Sequence, residues 1–100
     1  MNDGFFFTET TIPVELLEES VRNASGKAVV SLQGVIRRDR KGSEELDHVV
    51  YEAERIRAGD EIDSMAQEVR ERWHAELLFR HRLGTVRVGE TSVFIAVSAL

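Results

Sequence analysis

The sequence predicts an α+β fold, in which two helices pack on a mostly antiparallel sheet. Three observations support this class. Apolar residues recur at helical spacing in two segments, near residues 12–21 and 62–73. Short runs of aromatic or aliphatic residues, typical of strands, lie before, between and after these segments, and turn residues separate the runs. The resulting order is β, α, β, β, α, β, β, which is typical of helices packed on an antiparallel sheet.

The composition limits the possible classes of function. A chain of 100 residues with 42% hydrophobic content makes a single domain, residues 1–100. A net charge of −5 argues against binding nucleic acid or an anionic membrane through a whole basic face, so any anion site must be local. The absence of cysteine excludes thiol catalysis, disulfides and thiolate metal sites. With no basic n-region and no long apolar run, the chain is expected to be soluble and cytoplasmic.

The first predicted elements are a short strand and a short helix. The segment "FFFTE", at 5–9, has the composition of a strand. In the following "TIPVELLEESVRNASG", Pro13 suits the first helical turn and "NASG", at 23–26, supplies the stop. The apolar residues of this helix recur at helical spacing: Ile12, Leu16, Leu17 and Val21.

The middle of the chain predicts a long hairpin. The segment "KAVVSLQGVIR", at 27–37, is mostly apolar, as expected of a strand covered on both faces. Gly34 interrupts it, which indicates either a bulge or the close approach of another backbone or a ligand. The segment "LDHVVYEAERI", at 46–56, alternates its side chains with the period of a strand and is predicted to be the hairpin partner.

A second helix and the closing strands follow. The spacing predicts a helix over 60–73 with a core face made of Ile62, Met65, Ala66, Val69 and Trp73. Residues 75–100 predict two or three further strands, with turn residues in "LGTVRVGE" at 83–90 and a last apolar strand, "VFIAV", at 93–97. That last strand is expected to leave an edge and a face that need covering, which predicts a dimer.

A basic cluster follows the first long strand and consists of Arg37, Arg38, Arg40 and Lys41. Guanidinium forks pair bidentately with phosphate or carboxylate groups, which favours an anion site. The alternative is a solvated hairpin loop whose charge is offset by Asp39 and by the acidic "SEE" at 43–45. Arg37 is the strongest candidate, because it lies closest to the end of the strand.

The residues alone assign no catalytic or metal-ligating group. The histidines, His48, His74 and His81, lie far apart, so no metal site is expected, and His81 is interpreted as a buried, hydrogen-bonded structural residue. Glu52 and Glu54 share a strand face but are interpreted as solvated. The sequence has no phosphate-binding glycine motif and no nucleophile elbow, and no cofactor is expected.

Four ordered segments resemble the large, catalytic subunit of molybdopterin synthase. They are "GKAVVSLQGVIRRDRKG", "VVYEAERIRAGDEIDSMAQEVRERW", "FRHRLGTVRVGE" and "TSVFIAVSAL", and the similarity covers roughly residues 5–98. The resemblance implies the α/β-hammerhead-like fold of that subunit. It also implies a homodimer in which each copy binds a small ubiquitin-like subunit, giving a heterotetramer.

The resemblance further implies an activity and a site. In that family, the C-terminal thiocarboxylate of the small subunit delivers sulfur to cyclic pyranopterin monophosphate and so builds the dithiolene of molybdopterin. Val35, Ile36 and Arg37 match the family's first substrate-binding segment, and Arg37 would pair with the anionic part of the substrate. Gly34 would let this segment approach the ligand closely. The other basic residues of the cluster are expected to steer anions: Arg38, Arg40 and Lys41.

The sequence also departs from the family pattern. After the last strand the family continues with a His-Arg pair, a helix and a segment bearing the catalytic lysines, none of which has a counterpart in these 100 residues. Lys27 and Lys41 lie in other elements, so no catalytic residue is assigned. One alternative is therefore a catalytically incomplete relative that acts as a dimerisation or small-subunit-binding module. Another is an α+β dimerisation domain whose basic loop binds nothing.

Overall fold

The structure of the protein, a computed structural model, describes residues 6–23, 27–42 and 44–99. Two helices in this part are α1 (Val14–Arg22) and α2 (Arg55–Trp73). The strands are β1 (Phe7–Thr8), β2 (Ala28–Val35), β3 (Arg40–Lys41), β4 (Glu44–Glu45), β5 (His48–Tyr51), β6 (Ala75–Arg82), β7 (Gly84–Arg87) and β8 (Thr91–Ala99). Phe5 of the predicted first strand and residues 24–26 of the predicted helix stop lie outside the described residues. The predicted α+β class, with two helices on a mostly antiparallel sheet, is confirmed.

The main sheet has the strand order β1-β6-β8-β2. β8 pairs antiparallel with both β6 and β2, whereas β1 pairs parallel with β6. The prediction that the last apolar strand forms an exposed edge is therefore wrong, because β8 has a hydrogen-bonded neighbour on each side. The edge strands of this sheet are β2 and the two-residue β1.

The predicted long hairpin between β2 and residues 46–56 is also wrong. β5 pairs with β7, in the register His48↔Arg87 to Tyr51↔Gly84, and β7 lies in the segment predicted to supply only turn residues. β2 gives its inner edge to β8 along all of its length, and the chain between β2 and β5 instead forms the small β3–β4 hairpin. Gly84, the first residue of β7, has a φ of 84°, a backbone conformation that favours glycine.

α1 packs on one face of the sheet. Pro13 marks its start, as the N-cap residue rather than in the predicted first turn, and the buried cluster beneath the helix comprises Ile12, Val21, Phe94 and Ala96. Leu16 was predicted on the core face but is 66% exposed. In a helix of nine residues, only part of the apolar arc can reach the sheet, and Leu16 lies beside that part rather than on it.

α2 packs on the opposite face. Phe79 lies across from Ile95, so its side chain is on the face of the sheet opposite to that of Phe94. There it packs against a cluster formed by Ile62 of α2 with Phe6, Phe7 and Leu83. The helix begins at Arg55, five residues before the predicted start at 60, and an ion pair between Arg55 and Glu9 (2.9 Å) ties its first turn to the N-terminal segment.

Two predicted core residues of α2 are exposed. Met65 is 54% exposed and Trp73 is 59% exposed, so their assignment to the core is wrong for this chain. The helix packs mainly on β6, and Trp73 is its last residue, which leaves part of its apolar face beyond the strand it covers. Within the described ranges, neither helix combines the length and hydropathy that crossing a membrane requires.

The α2 side of the sheet leaves an apolar surface uncovered on β2 and β8. Val30 lies across from Val97, and Leu32 lies across from Ile95, so the four side chains share one face, which we call the open face. Val30 is 69% exposed and Leu32 is 55% exposed. β2 was predicted to be covered on both faces, and in the single chain this is wrong. Its apolar composition therefore leaves an exposed hydrophobic surface on the single chain.

Candidate anion-binding site

Gly34 marks a bulge at the end of β2. The pairing with β8 shifts between Gly34, which lies across from Val93, and Val35, which lies across from Thr91. A Cβ added to Gly34 would lie 2.9 Å from Val93 Cγ1 and 3.3 Å from Ser92 Oγ, and that hydroxyl donates to the Gly34 carbonyl at 3.2 Å. The predicted bulge is confirmed, and within the described chain the close neighbour of Gly34 is β8.

Replacing Gly34 with alanine is expected to destabilise the fold by about 1–3 kcal/mol, because the added methyl group overpacks a stiff β-branched neighbour. Urea unfolding followed by circular dichroism measures the change. Ser31→Ala, at an exposed position of the same strand, is the matched control and is expected to stay within about 0.5 kcal/mol of the parent. Equal stability of Gly34→Ala and Ser31→Ala would show that the bulge tolerates a side chain.

Beyond the bulge, the backbone at Ile36 is fixed by the turn between β7 and β8. The Ile36 N–H donates to the Glu90 carbonyl (3.0 Å), and the Gly89 N–H donates to the Ile36 carbonyl (2.8 Å). The Ile36 side chain is buried, at 7% exposure. We call Val88, Gly89 and Glu90 the clamp turn. Because it bonds both backbone groups of Ile36, the next residue, Arg37, begins from a fixed position.

Arg37 is exposed, and in the part of the chain that the structure describes its guanidinium has no hydrogen-bond or ion-pair partner. An exposed, unpaired guanidinium on a fixed backbone keeps its donors available for an anion. Val35 beside it is 48% exposed and Ile36 is buried, so of the predicted binding segment Val35 and Arg37 face solvent.

The rest of the basic cluster lies in or next to the β3–β4 hairpin, opposite acidic residues. Arg38 Nη1 lies 3.7 Å from Glu45 Oε2, in a pair that is largely exposed. In the hairpin, Arg40 lies across from Glu45 and Lys41 across from Glu44, while their side chains and Ser43 lie outside the described part of the structure. This register supports charge compensation in the hairpin, and the anion-steering role of Arg38, Arg40 and Lys41 stays a prediction.

Arg82 is a charged residue that sequence reasoning missed as part of this site. Its side chain is only 9% exposed, its Nη2 donates to the Thr85 carbonyl (3.0 Å), and its Nη1 lies 3.2 Å from Glu90 Oε1. That second contact is within ion-pair distance but lacks hydrogen-bond geometry, and Nε has no partner among the described residues. The sequence gives only a weak signal for Arg82, because β6 also contains the charged residues Glu76 and Arg80.

Glu90 connects Arg82 to the clamp turn. Its Oε1 accepts the Arg87 backbone N–H (2.8 Å). That N–H, and next the charge of Arg82, hold the pKa of the Glu90 carboxyl below its ordinary value of 4.5. Because the pKa is lowered in the folded state, the stability from this carboxylate is fully present above pH 4.5 and is lost as the pH falls through the lowered value.

The other residues considered in the sequence lie away from this site or are structural. His81 is half-buried, its Nδ1–H donates to the Arg82 carbonyl (2.6 Å), and its ring meets the Tyr51 ring edge-on with centroids 4.8 Å apart. This agrees with a hydrogen-bonded structural role. Glu52 and Glu54 are exposed and lie outside the strand, as expected of a solvated segment.

Comparisons with known proteins agree with the resemblance. The family model described as MoaE protein matches residues 7–100. The molybdopterin synthase catalytic subunit of Halalkalibacterium halodurans is 30% identical over 95 residues, covering 94% of this chain and 60% of that protein. The protein of the same name from Bacillus subtilis is 29% identical over 98 residues, covering 97% of this chain and 62% of that protein.

Solved structures show the same fold. The crystal structure of molybdopterin synthase from Staphylococcus aureus matches with a TM-score of 0.82 and 28% identity, covering 99% of this chain and 72% of that one. A protein-protein complex of subunits 1 and 2 of molybdopterin-converting factor from Helicobacter pylori matches with a TM-score of 0.69, at 16% identity over 93% of this chain and 63% of that one. At that identity the second likeness concerns the fold alone.

The chain spans between 59% and 62% of the length of the curated relatives it matches. The family model, in contrast, covers the sequence from β1 to its last residue, including the bulge, Arg37, the clamp turn and β8. The chain belongs to the MoaE protein family.

Proposed function

We propose that this chain acts in molybdenum cofactor biosynthesis as a molybdopterin synthase large subunit. In this role it binds cyclic pyranopterin monophosphate through Arg37 and Val35, which flank the buried Ile36, while sulfur arrives on the C-terminal thiocarboxylate of a small subunit. The observation that carries the proposal is Arg37, an exposed guanidinium without a described partner on a backbone fixed by the clamp turn, in a chain of this family.

Electrostatics support a local site at Arg37. The chain carries a net charge of −5, so a phosphate-bearing ligand has no broad basic face to bind. The neighbouring Arg38 lies close to Glu45, whereas Arg37 lies outside the hairpin that carries the compensating carboxylates. A guanidinium offers two parallel N–H donors to a phosphate, which suits it to hold the anionic end of the pterin.

Two protein partners belong to the proposal. The first is a small subunit, supported by the Helicobacter pylori relative of the same fold, which was solved as a complex of two subunits. The second is another copy of this chain, docked on the open face, since Val30 and Leu32 are largely exposed on an edge strand that still offers unpaired backbone groups. In this arrangement sulfur arrives on the partner, which agrees with a chain that contains no cysteine.

Binding of the substrate by the Arg37→Ala variant tests the proposed site. Loss of a charge-assisted contact is expected to weaken binding about 10- to 100-fold in titration calorimetry with cyclic pyranopterin monophosphate. Arg38→Ala is the matched control and is expected to change the affinity by less than about threefold, because Arg38 belongs to an exposed ion pair. If Arg38 steers anions, its loss instead slows association at low salt. Equal affinity of Arg37→Ala and the parent would contradict the site.

The binding-module alternative shares these surfaces and differs in turnover. Under both the synthase and the binding-module hypotheses, the purified protein is expected to bind a small subunit in calorimetry. Mixing it with thiocarboxylated small subunit and cyclic pyranopterin monophosphate separates them, because a synthase forms molybdopterin and a module does not. Formation of molybdopterin that is lost in Arg37→Ala supports the synthase.

A further inference from the structure

The backbone of the proposed anion site, at Ile36 and Arg37, lies outside the regular strand pairing. β2 ends at Val35, so Ile36 and Arg37 lie beyond the ladder that binds β2 to β8. Their position comes instead from the clamp turn, through the two hydrogen bonds at Ile36. Any residue that fixes the clamp turn therefore also fixes the starting point of the Arg37 side chain.

Glu90 connects the clamp turn to Ile36, Arg87 and Arg82. Its carbonyl accepts the Ile36 N–H, its side chain accepts the Arg87 N–H, and its own N–H donates to the Arg87 carbonyl (3.0 Å). The same carboxylate lies 3.2 Å from Arg82 Nη1. One residue thus links the buried guanidinium of β6 to the backbone of the substrate-binding segment.

Arg82 occupies its position at an energetic cost. Its side chain is only 9% exposed, yet Nε and Nη1 donate no hydrogen bond among the described residues. Burying a cation with incomplete partners is unfavourable, and a well-packed neutral residue of similar volume is often as stabilising as such a pair. A gain in stability therefore does not explain an arginine at this position. Its rigid guanidinium can instead fix β6, Thr85 of β7 and Glu90 of the clamp turn relative to one another.

The geometry points to Arg82 as a positioning residue for the anion site: it holds Glu90 and Thr85, so the clamp turn fixes Ile36 and presents Arg37 to the substrate. This inference rests on the proposed function of Val35, Ile36 and Arg37. Arg82 is not proposed to contact the substrate or Arg37. It acts through Glu90, whose carboxylate lies beside Arg82 and whose carbonyl accepts the Ile36 N–H.

The test is a double-mutant cycle on substrate affinity, using Arg82→Lys, which keeps the charge but loses the fork. In protein shown to be folded by circular dichroism, Arg82→Lys is expected to weaken binding of cyclic pyranopterin monophosphate roughly 3- to 30-fold. In the Arg37→Ala background, the same change is expected to have no further effect, because Arg82 acts only through Arg37. A merely structural residue would weaken binding equally in both backgrounds, and that result would overturn the inference.

Amide hydrogen exchange gives a second readout that needs no ligand. Arg82→Lys is expected to speed exchange at the Ile36 and Gly89 N–H groups about tenfold more than at Ala96 in β8, since only the former depend on the clamp turn. Should Arg82→Lys fail to fold, Glu90→Gln carries the same expectations, because it removes the charge that faces Arg82 and keeps an oxygen for the Arg87 N–H. Uniform acceleration at all three amides in these variants would contradict the inference.

The two proposals fail in different ways. If Arg37→Ala leaves affinity unchanged, the anion site is wrong. If Arg37→Ala weakens binding while Arg82→Lys and Glu90→Gln bind as the parent does, the site stands and the positioning role of Arg82 is wrong.

Discussion

The Leu32→Asp variant is expected to be monomeric under conditions in which the parent chain is a dimer. Leu32 is 55% exposed at the centre of the open face, directly across from Ile95 and two residues from Val30. If a second copy covers this face, the variant buries an unpaired carboxylate in an apolar contact. Such a charge costs about 3–5 kcal/mol, which weakens the dimer by roughly two to four orders of magnitude.

Sedimentation velocity at micromolar concentration measures this change directly. Leu16→Asp is the matched control, because Leu16 is a leucine of similar exposure (66%) on α1, which packs on the other side of the sheet. The control is expected to remain dimeric. A monomeric parent would show that no second copy covers the open face, and a dimeric Leu32→Asp would place the interface elsewhere on the chain.

The sequence predicted well those elements whose signals are local. Pro13 set the start of α1, Gly34 marked the bulge of β2, and the apolar run at 93–97 identified β8. Each depends on the conformational preference or the periodicity of neighbouring residues, which a single chain displays directly. The position of Arg37 just beyond a strand followed from the same local reasoning.

The pairing of the strands was beyond such signals. A period of two shows that β5 is a strand but carries no information about its neighbour, and here the partner is β7 rather than β2. The exposure of Met65 and Trp73 likewise depends on how far the sheet extends beneath α2, which the helical pattern does not encode. A hydrophobic period identifies the apolar face of a helix without showing how much of that face the sheet covers.

Arg82 shows why part of the candidate site escaped prediction. In the sequence, Arg82 lies between His81 and Leu83 and resembles any other strand residue. In the structure, its partners Thr85 and Glu90 belong to β7 and to the clamp turn that follows it. Arg82 meets them only after the chain has passed Gly84, which has a positive φ, and has entered the clamp turn. Residues that act by contacting a substrate leave a local chemical signal, whereas residues that position others leave a signal only in the fold.

The Phe94→Ala variant is expected to lose about 3–5 kcal/mol of stability. Phe94 is fully buried in the middle of β8, where it lies across from Gln33 on one side and Arg80 on the other. Its ring joins Ile12 and Val21 in the cluster beneath α1, so removing it leaves a cavity that both the helix and the sheet line. Since a domain of this size has about 5–15 kcal/mol in total, much of its stability depends on this one ring.

Urea unfolding monitored by circular dichroism gives the free energy of unfolding for Phe94→Ala and for a control, Leu16→Ala. Leu16 is 66% exposed on α1, so the control is expected to lose about 1 kcal/mol or less, although the helical pattern alone places Leu16 on the core face. Equal losses in the two variants would mean that α1 packs through Leu16 rather than over Phe94. A large loss confined to Phe94→Ala would instead locate the core of this half of the molecule between α1 and β8. The same strand also contains Ser92 and Val93, which lie against Gly34 at the bulge, so the core and the bulge share β8.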